Sequence, residues 1–257
     1  SAWIMQPIRP QTRYNVQEPV MKRKIICALD TGDLSEARDM AKRLSPYAGA
    51  FKIGPSLVLQ YGLDVMDYLR EDGVDRIFLD MKFHDIPNTV GRAVREATKR
   101  GVWMMTIHLS GGPAMISAAV EEAKSASDEV APLLVGVSVL TSLDQHVLTD
   151  HLGIGRTIEE HMVYLSELGA DCGLDGVVCS VHEIQPIREK IGRKVIVTPG
   201  IRAASGDLHD QQRVGDARDA LAAGSDYLVI GRALTNAPDP EQALKNLGLE
   251  MADGQLV

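Results

Sequence analysis

The sequence has few aromatic residues, few cysteines and no long apolar run. Aromatic residues make up 4% of the 257 residues, so the 45% that are hydrophobic are mainly aliphatic. The three cysteines, Cys27, Cys172 and Cys179, are odd in number and form no CxxC pair. This disfavours a disulfide-stabilised secreted domain and predicts a reducing, cytoplasmic location. Because no apolar run reaches the roughly 20 residues of a membrane span, no membrane partner is expected.

Clustered positive charge and the common metal motifs are also missing. The net charge is −8, with 27 Lys and Arg spread along the chain. A nucleic-acid surface would need a basic cluster, so no nucleic-acid partner is expected. The chain contains no HxH or HExxH pattern, which predicts no metal site, and no GxSxG nucleophile elbow.

Short β-branched runs alternate with helix-period segments along the chain. Most of these runs are apolar throughout, as expected of parallel strands buried on both faces. The pattern predicts a single (β/α)8 barrel (a TIM barrel) over residues 24–257, with residues 1–23 as an N-terminal extension outside the core. An open doubly wound sheet is the alternative, but no GxGxxG follows the first run. The eight runs are Lys24–Leu29, Ala48–Ile53, Arg76–Met81, Trp103–His108, Leu133–Leu140, Gly176–Ser180, Lys194–Thr198 and Tyr227–Ile230.

The segments between these runs carry apolar residues at helical spacing. In Leu34–Leu44 they form one stripe, and Asp33 is a plausible N-cap. Four further segments behave similarly: Thr89–Arg100, Pro113–Lys124, Thr157–Leu168 and Ala217–Ala223.

Polar residues collect where the predicted strands end, which in such barrels is the catalytic face. Asp80 and Lys82 are two residues apart in strand 3, so an extended strand would point them the same way with Cα atoms about 6.6 Å apart. Lys52 ends the neighbouring strand, and Asp85 follows three residues after Lys82. Alternating Lys and Asp charges keep each other ionised. The other strand-end groups are Asp30, His108, Thr141 and Ser180.

The last two strands are followed by residues suited to an anion. Barrel enzymes often bind phosphate with the loops after strands 7 and 8. Gly231 allows close backbone approach and Arg232 offers a planar fork of donors. Arg202, after Pro199, and the long polar loop 203–215, which contains Gln211, lie beside them and read as a phosphate-binding lid.

Each of these features also has a structural interpretation. The Lys and Asp array could be an ion-pair network that only closes the barrel, and Gly231-Arg232 could be an ordinary turn. His108 reads more readily as a hydrogen-bonded structural histidine than as a ligand or base, and His84 could likewise be structural. The ring of charged strand ends together with a phosphate-type loop favours an active site.

The run from Phe78 to Val90, FLDMKFHDIPNTV, resembles the signature of orotidine 5′-phosphate decarboxylases. The resemblance extends in order from about residue 24 to residue 240 and is closest to the bacterial-type branch. It includes the segments ALD (28–30), FKIG (51–54), IHLSGG (107–112), VLTS (139–142), GLDGVVCS (173–180), VTPGIR (197–202), DQQRV (210–214) and VIGR (229–232).

This resemblance implies decarboxylation of orotidine 5′-monophosphate to uridine 5′-monophosphate, the last step of pyrimidine nucleotide synthesis, without a cofactor. It implies that Lys82 donates the proton to C6 and that Asp80 lies against the substrate carboxylate. Lys52 and Asp85 would complete the charged array.

The resemblance also implies the remaining substrate contacts. Asp30 and Lys52 would bind ribose hydroxyls, and Thr141 would lie near the pyrimidine or its covering loop. The phosphate contacts would be Gln211, Gly231 and Arg232, with Arg202 and Pro199 alongside. In the family the active site is shared within a homodimer, so three residues would serve the partner's site: Asp85, Ile86 and Thr89.

Two other hypotheses remain. A related barrel enzyme acting on a sugar phosphate with magnesium would share Asp-x-Lys-x-x-Asp, but would need further strand-end carboxylates and would not predict the continuation through Thr89. A catalytically silent phosphate-ligand binder is expected to have lost a member of the Lys and Asp array, and here all four are present.

Overall fold

A computed structural model describes residues 19–128, 130–202, 216–252 and 255–256. Eight parallel strands close into a barrel in chain order, each paired with the next and β1 with β8. The predicted (β/α)8 architecture is therefore confirmed. The strands are β1 (Ile25–Ala28), β2 (Ala50–Ile53), β3 (Ile77–Phe83), β4 (Met104–His108), β5 (Leu133–Val137), β6 (Gly176–Val178), β7 (Val195–Thr198) and β8 (Tyr227–Ile230).

Helices follow the strands and surround the barrel. The described helices are α1 (Val20–Lys24), α2 (Leu34–Leu44), α3 (Pro55–Tyr61), α4 (Val65–Glu71), α5 (Pro87–Lys99), α6 (Gly112–Ser125), α7 (Ile158–Asp171), α8 (Ile184–Ile191), α9 (Ala217–Ala222), α10 (Arg232–Thr235) and α11 (Pro240–Asn246). Shorter helical turns span Gly62–Asp64, Leu109–Gly111, Val147–His151 and Val181–Glu183, and a small hairpin joins β9 (Met251–Ala252) and β10 (Gln255–Leu256).

Local capping explains where several helices begin. The Asp33 carboxylate accepts from the Glu36 N–H at 2.9 Å, as the N-cap prediction required. Thr157 and Glu160 form a reciprocal capping box at the start of α7. Such caps satisfy N–H groups that have no partner within the helix, and each contributes roughly 1 kcal/mol.

The buried apolar side chains divide into two clusters, because alternate residues of each strand face opposite sides of the barrel wall. One cluster fills the space between strands and helices, and includes Ile25, Cys27 and Leu29 of the first strand. The other fills the barrel interior. Its members are Ile26, Ala28, Ala50, Phe78, Met104, Leu133, Val135, Val197, Tyr227 and Val229. The barrel is thus a packed core with one open end.

Four strand ends differ from expectation. β1 ends at Ala28, one residue before the predicted Leu29, and β6 ends at Val178, two residues before the predicted Ser180. β5 ends at Val137, three residues before the predicted Leu140, and β3 runs two residues past the predicted Met81 to Phe83. The extension of β3 matters for the site, because it contains Lys82.

The part of the chain that the structure describes includes no helix with the length and apolar character needed to cross a membrane. Cys27 and Cys179 are buried, Cys172 is half-buried, and the three form no disulfide. Most of the predicted N-terminal extension, residues 1–18, lies outside the described residues, and α1 leads directly into β1.

Candidate active site

Side-chain alternation brings polar groups to the open end of the barrel. Each polar residue lies two positions after an inward-facing core residue, and therefore faces the barrel axis as well. Parallel register places neighbouring strands so that Ala28 pairs with Lys52 and Lys52 with Phe78. Four side chains consequently meet above the core: Asp30 after Ala28, Lys52 after Ala50, Asp80 after Phe78, and Thr106 after Met104.

The charged residues form an alternating chain across this end. Lys52 Nζ lies 3.1 Å from Asp30 Oδ1 and 3.4 Å from Asp80 Oδ2. The other oxygen of Asp80 accepts from Lys82 Nζ at 2.9 Å. Lys52 therefore lies between two carboxylates, and Asp80 lies between two ammonium groups. Of the four residues in the predicted array, Lys52, Asp80 and Lys82 lie together in this chain, and Asp30 rather than Asp85 is the fourth charged residue in contact with them.

The inner pair of the array is largely shielded from water. The side chains of Lys52 and Asp80 are each 13% exposed, whereas Asp30 is 61% exposed. Burial acts to raise the pKa of Asp80, but the ammonium groups of Lys52 and Lys82 outweigh it and hold that pKa below its ordinary value. Burial likewise acts to lower the pKa of Lys52, and the carboxylates of Asp80 and Asp30 reverse the effect. Both groups are therefore charged at neutral pH.

The backbone at Lys82 is distorted, and simple strand alternation does not predict this distortion. Lys82 has φ +47°, and is the one non-glycine residue with positive φ in the described ranges. The pairing of β3 with β4 shifts register between Leu79 and Phe83, as in a β-bulge. A non-glycine residue in this region costs about 1–3 kcal/mol, and such residues concentrate at functional sites.

Thr106 is a site residue that the sequence analysis missed. Its hydroxyl donates to Asp80 Oδ1 at 2.9 Å and accepts from the Lys82 backbone N–H at 2.8 Å. The side chain is buried, with 1% of its surface exposed. The available signal was one hydroxyl in the otherwise apolar run Met104–Ile107, at an inward-facing position.

The array forms one wall of a cavity of about 870 Å³ at the open end of the barrel. Its floor is apolar and includes Phe78, Val137, Val178 and Val229. The rim is polar and extends to the α10–α11 segment, which sequence reasoning also missed. Rim residues there include Asn236, Asp239, Gln242 and Asn246. A cavity with an apolar floor and a few convergent polar groups is typical of a small-molecule site.

Residues predicted to contact the phosphate line the same cavity as Lys82. Pro199, Arg202, Gly231 and Arg232 all line it, as does Thr141 from the loop after β5. A Cβ added to Gly231 would lie 3.5 Å from Asp30 Oδ2, an ordinary contact. Gln211 and the predicted lid 203–215 lie outside the described residues.

Asp85, Ile86 and Thr89 do not line this cavity. All three are exposed; Ile86 is 65% exposed, and Asp85 accepts from the Ile86 N–H at 2.6 Å within its own loop. The single chain thus brings together four charged residues and leaves Asp85 apart from them.

Two histidines lie beside the array. The rings of His84 and His108 are 5.3 Å apart. Burial, together with the nearby His84 and Lys82, lowers the pKa of His108, which also bonds the backbone of Val137. His108 is therefore neutral at pH 7 and hydrogen-bonded. Within the described ranges, no group of three or more His, Cys, Asp or Glu side chains is placed to hold a metal ion.

Replacing Asp80 with asparagine is expected to lower the free energy of unfolding by about 1–3 kcal/mol at pH 7, since two ammonium groups lose a shared carboxylate. Because the pKa of Asp80 is lowered in the folded protein, its carboxylate contributes fully to stability at pH values above about 3.9, the pKa of an aspartate in an unfolded chain. This contribution is lost as the pH falls through the lower pKa of Asp80 in the folded protein. Thermal melts across this range should show the gap to wild type narrowing in acid. A difference in melting temperature that does not change with pH would contradict this expectation. Asp39→Asn is the control, because Asp39 lies at an exposed position of α2.

Comparison with known proteins adds to this geometry. Residues 23–247 match the model of the "Orotidine 5′-phosphate decarboxylase / HUMPS family". A protein of Moorella thermoacetica named orotidine 5′-phosphate decarboxylase is 46% identical over 234 residues, covering 90% of this chain and 92% of that protein. One of Pseudoalteromonas translucida with the same name is 44% identical over 226 residues, 88% of this chain and 95% of that protein.

A solved structure gives the same result. The orotidine 5′-phosphate decarboxylase of Lactobacillus acidophilus superposes with a TM-score of 0.74 at 32% identity, covering 88% of this chain and 97% of that one. Sequence and barrel fold thus agree with these proteins over nearly the whole chain. The chain belongs to the orotidine 5′-phosphate decarboxylase / HUMPS family.

Proposed function

We propose that the protein decarboxylates orotidine 5′-monophosphate to uridine 5′-monophosphate and carbon dioxide, the last step of pyrimidine nucleotide synthesis. The observation that carries this is the alternating chain Asp30–Lys52–Asp80–Lys82 at the cavity wall. The relatives at 41–46% identity, all named decarboxylases, support the decarboxylase side of the family name.

The proposed reaction uses Lys82 as the proton donor. The bond between C6 and the carboxylate carbon breaks, carbon dioxide leaves, and the electron pair remains on C6. A proton from the Lys82 ammonium then forms the new C–H bond, and the neutral amine regains a proton from solvent. Asp80 holds this ammonium at 2.9 Å, so the donor is oriented before substrate arrives.

Preorganised charge supplies the stabilisation in this proposal. The carbanion at C6 has no conjugated electron sink, so an ammonium must lie where negative charge develops. Asp80 would face the substrate carboxylate, so the two negative charges would repel each other. This repulsion is relieved as carbon dioxide departs. Because Lys52 and Asp80 are mostly buried, their fields are weakly screened.

The remaining contacts bind the nucleotide away from the reacting carbon. We assign the ribose hydroxyls to Asp30 and Lys52 and the pyrimidine edge to Thr141. The phosphate would be held by Gln211, Gly231 and Arg232, with Arg202 and Pro199 alongside. Binding energy gained at the phosphate can order the site around the pyrimidine.

We propose that the reaction needs neither metal nor organic cofactor. Both cavity carboxylates of the array, Asp30 and Asp80, are paired with Lys52, and Asp80 also with Lys82. Their negative charge is therefore balanced by side chains of the chain itself. The ammonium groups provide the electrostatic role that a cation would otherwise fill.

We further propose a homodimer in the cytoplasm, with each active site completed by its neighbour. Asp85, Ile86 and Thr89 are exposed beside the cavity mouth and outside its lining, which suits residues that serve a second subunit. Residues 1–23 are proposed to lie outside the eight-stranded barrel.

Replacing Gly231 with alanine is expected to raise the KM for the nucleotide at least about tenfold, equivalent to about 1.4 kcal/mol. The added methyl makes only ordinary contacts with Asp30 and Ala28 in the free protein, but would occupy the space in which a phosphate approaches the backbone. The melting temperature is measured alongside, so that an effect on folding is separated from an effect on binding. Steady-state kinetics and a thermal melt check both. Gly155→Ala adds a methyl in open space and is the control, and equal KM values for the two variants would refute the phosphate assignment.

A substrate comparison separates this function from the magnesium-dependent sugar-phosphate alternative. The purified protein is incubated with orotidine 5′-phosphate, and separately with a pentulose phosphate and magnesium. Carbon dioxide release from the nucleotide alone supports the decarboxylase. Reaction of the sugar phosphate alone would overturn it, and binding of the nucleotide without any reaction would indicate a silent binder.

A further inference from the structure

We infer that Thr106 is a positioning residue for the proposed decarboxylation, and that its hydroxyl locks Asp80 and the Lys82 backbone together. This inference rests on the proposed function. Thr106 touches neither the reacting carbon nor the transferred proton. It acts through the two residues to which it is hydrogen-bonded.

The direction of both hydrogen bonds follows from their donors. The Lys82 backbone N–H, 2.8 Å away, is only a donor, so the Thr106 oxygen must accept from it. The single hydroxyl proton is then available for Asp80 Oδ1 at 2.9 Å, and an ionised carboxylate is only an acceptor. A serine at this position could make the same pair of bonds, whereas valine or alanine could make neither.

The first bond supports the unusual backbone of Lys82. The bulge between Leu79 and Phe83 interrupts the regular pairing of β3 with β4. On its other side, β4 keeps its pairing with β5, where Thr106 lies opposite Val135. The Thr106 side chain thus supplies an acceptor for the Lys82 N–H. Without the Thr106 oxygen, the part-buried Lys82 N–H would have lost this hydrogen-bond acceptor. The positive φ that directs the Lys82 side chain toward the cavity would then be less favourable.

The second bond fixes the carboxylate that holds the proton donor. Asp80 Oδ1 is shared by the Thr106 hydroxyl and Lys82 Nζ, while Oδ2 faces Lys52. Three partners thereby define the plane of one buried carboxylate. Without the hydroxyl, that carboxylate can rotate and carry the Lys82 ammonium with it. Small displacements of a donor at the reacting atom slow chemistry more than they weaken binding.

The test compares Thr106→Val with Thr106→Ser in the full-length protein. Valine keeps the shape and removes the hydroxyl; we expect kcat to fall about 10- to 100-fold with KM within about threefold of wild type. Serine keeps the hydroxyl and should restore kcat to within about threefold. The valine variant should also move the acid limb of kcat/KM to higher pH, because the Thr106 hydrogen bond helps to lower the pKa of Asp80.

Thr98→Val is the matched control, because Thr98 is buried and its hydroxyl bonds only the Val94 carbonyl within α5. If valine at position 106 does not fold, Thr106→Ala against Thr106→Ser isolates the same hydroxyl. Equal kcat values for the variants with and without the hydroxyl would overturn the inference. A wild-type protein that leaves orotidine 5′-phosphate unchanged would instead overturn the proposed function, so the two failures are distinguishable.

Discussion

Lys82→Ala is expected to lower kcat for orotidine 5′-phosphate by at least about 10⁴-fold, the largest effect of any single substitution considered. Loss of a general acid costs about 10²–10⁴-fold, and loss of an ammonium aimed at developing charge about 10²–10³-fold. The nucleotide should still bind, because the ribose and phosphate contacts remain. Stopped assays over long incubation and a direct titration with uridine 5′-monophosphate measure the two effects separately.

Lys99→Ala is the control for charge and side-chain length, since Lys99 is paired with Glu96 on the exposed face of α5. Its kcat should equal that of the wild type. A Lys82→Ala protein that retains turnover within about tenfold of wild type would show that another group delivers the proton.

Mixing two inactive variants, Lys82→Ala and Asp85→Ala, is expected to restore activity to roughly a quarter of the wild-type value. In a two-fold dimer with shared sites, half of the randomised dimers are mixed, and each has one intact site of two. The separation of Asp85 from the array within one chain is the reason for this expectation. The measurement is turnover after the variants are unfolded and refolded together.

Mixing Lys82→Ala with Asp80→Ala is the matched control, because both residues line the cavity of the same chain. No intact site can form in that mixture. If the Asp85 mixture also stays inactive although mixed dimers have formed, Asp85 does not serve the partner's site. The solution mass of the wild type checks the dimer independently.

The fold was accessible from the sequence because its signals are local and repeated. Eight apolar runs with helix-period segments between them left few alternatives, and caps such as Asp33 marked where helices begin. The end of β5 at Val137 was less predictable, since Ser138–Leu140 continue the apolar pattern without ladder partners in the strand.

The charged part of the site was accessible for a similar reason. Residues two positions after an inward-facing core residue must face the same cavity, which places Asp30, Lys52 and Asp80 together. The same rule would have identified Thr106. It was missed because a single threonine among apolar residues resembles strand filler.

The bulge at Lys82 was beyond sequence reasoning. Regular strand alternation would also point Lys82 to the same side as Asp80, so the two side chains were expected together. The positive φ of Lys82 and the register shift around it were not expected. A bulge places an extra residue in one strand opposite its partner, and the spacing of residue types in the sequence does not indicate where this happens. The partner-subunit role of Asp85 likewise depends on a surface outside the chain.

Turnover of orotidine 5′-phosphate by chelator-treated protein tests the central claim most directly, namely that an array of lysine and aspartate side chains carries out this decarboxylation unaided. The reaction is followed by the ultraviolet absorbance change and by identification of the product. We predict complete conversion to uridine 5′-monophosphate at a rate that added magnesium does not alter. No conversion, or conversion only after magnesium is restored, would contradict the account.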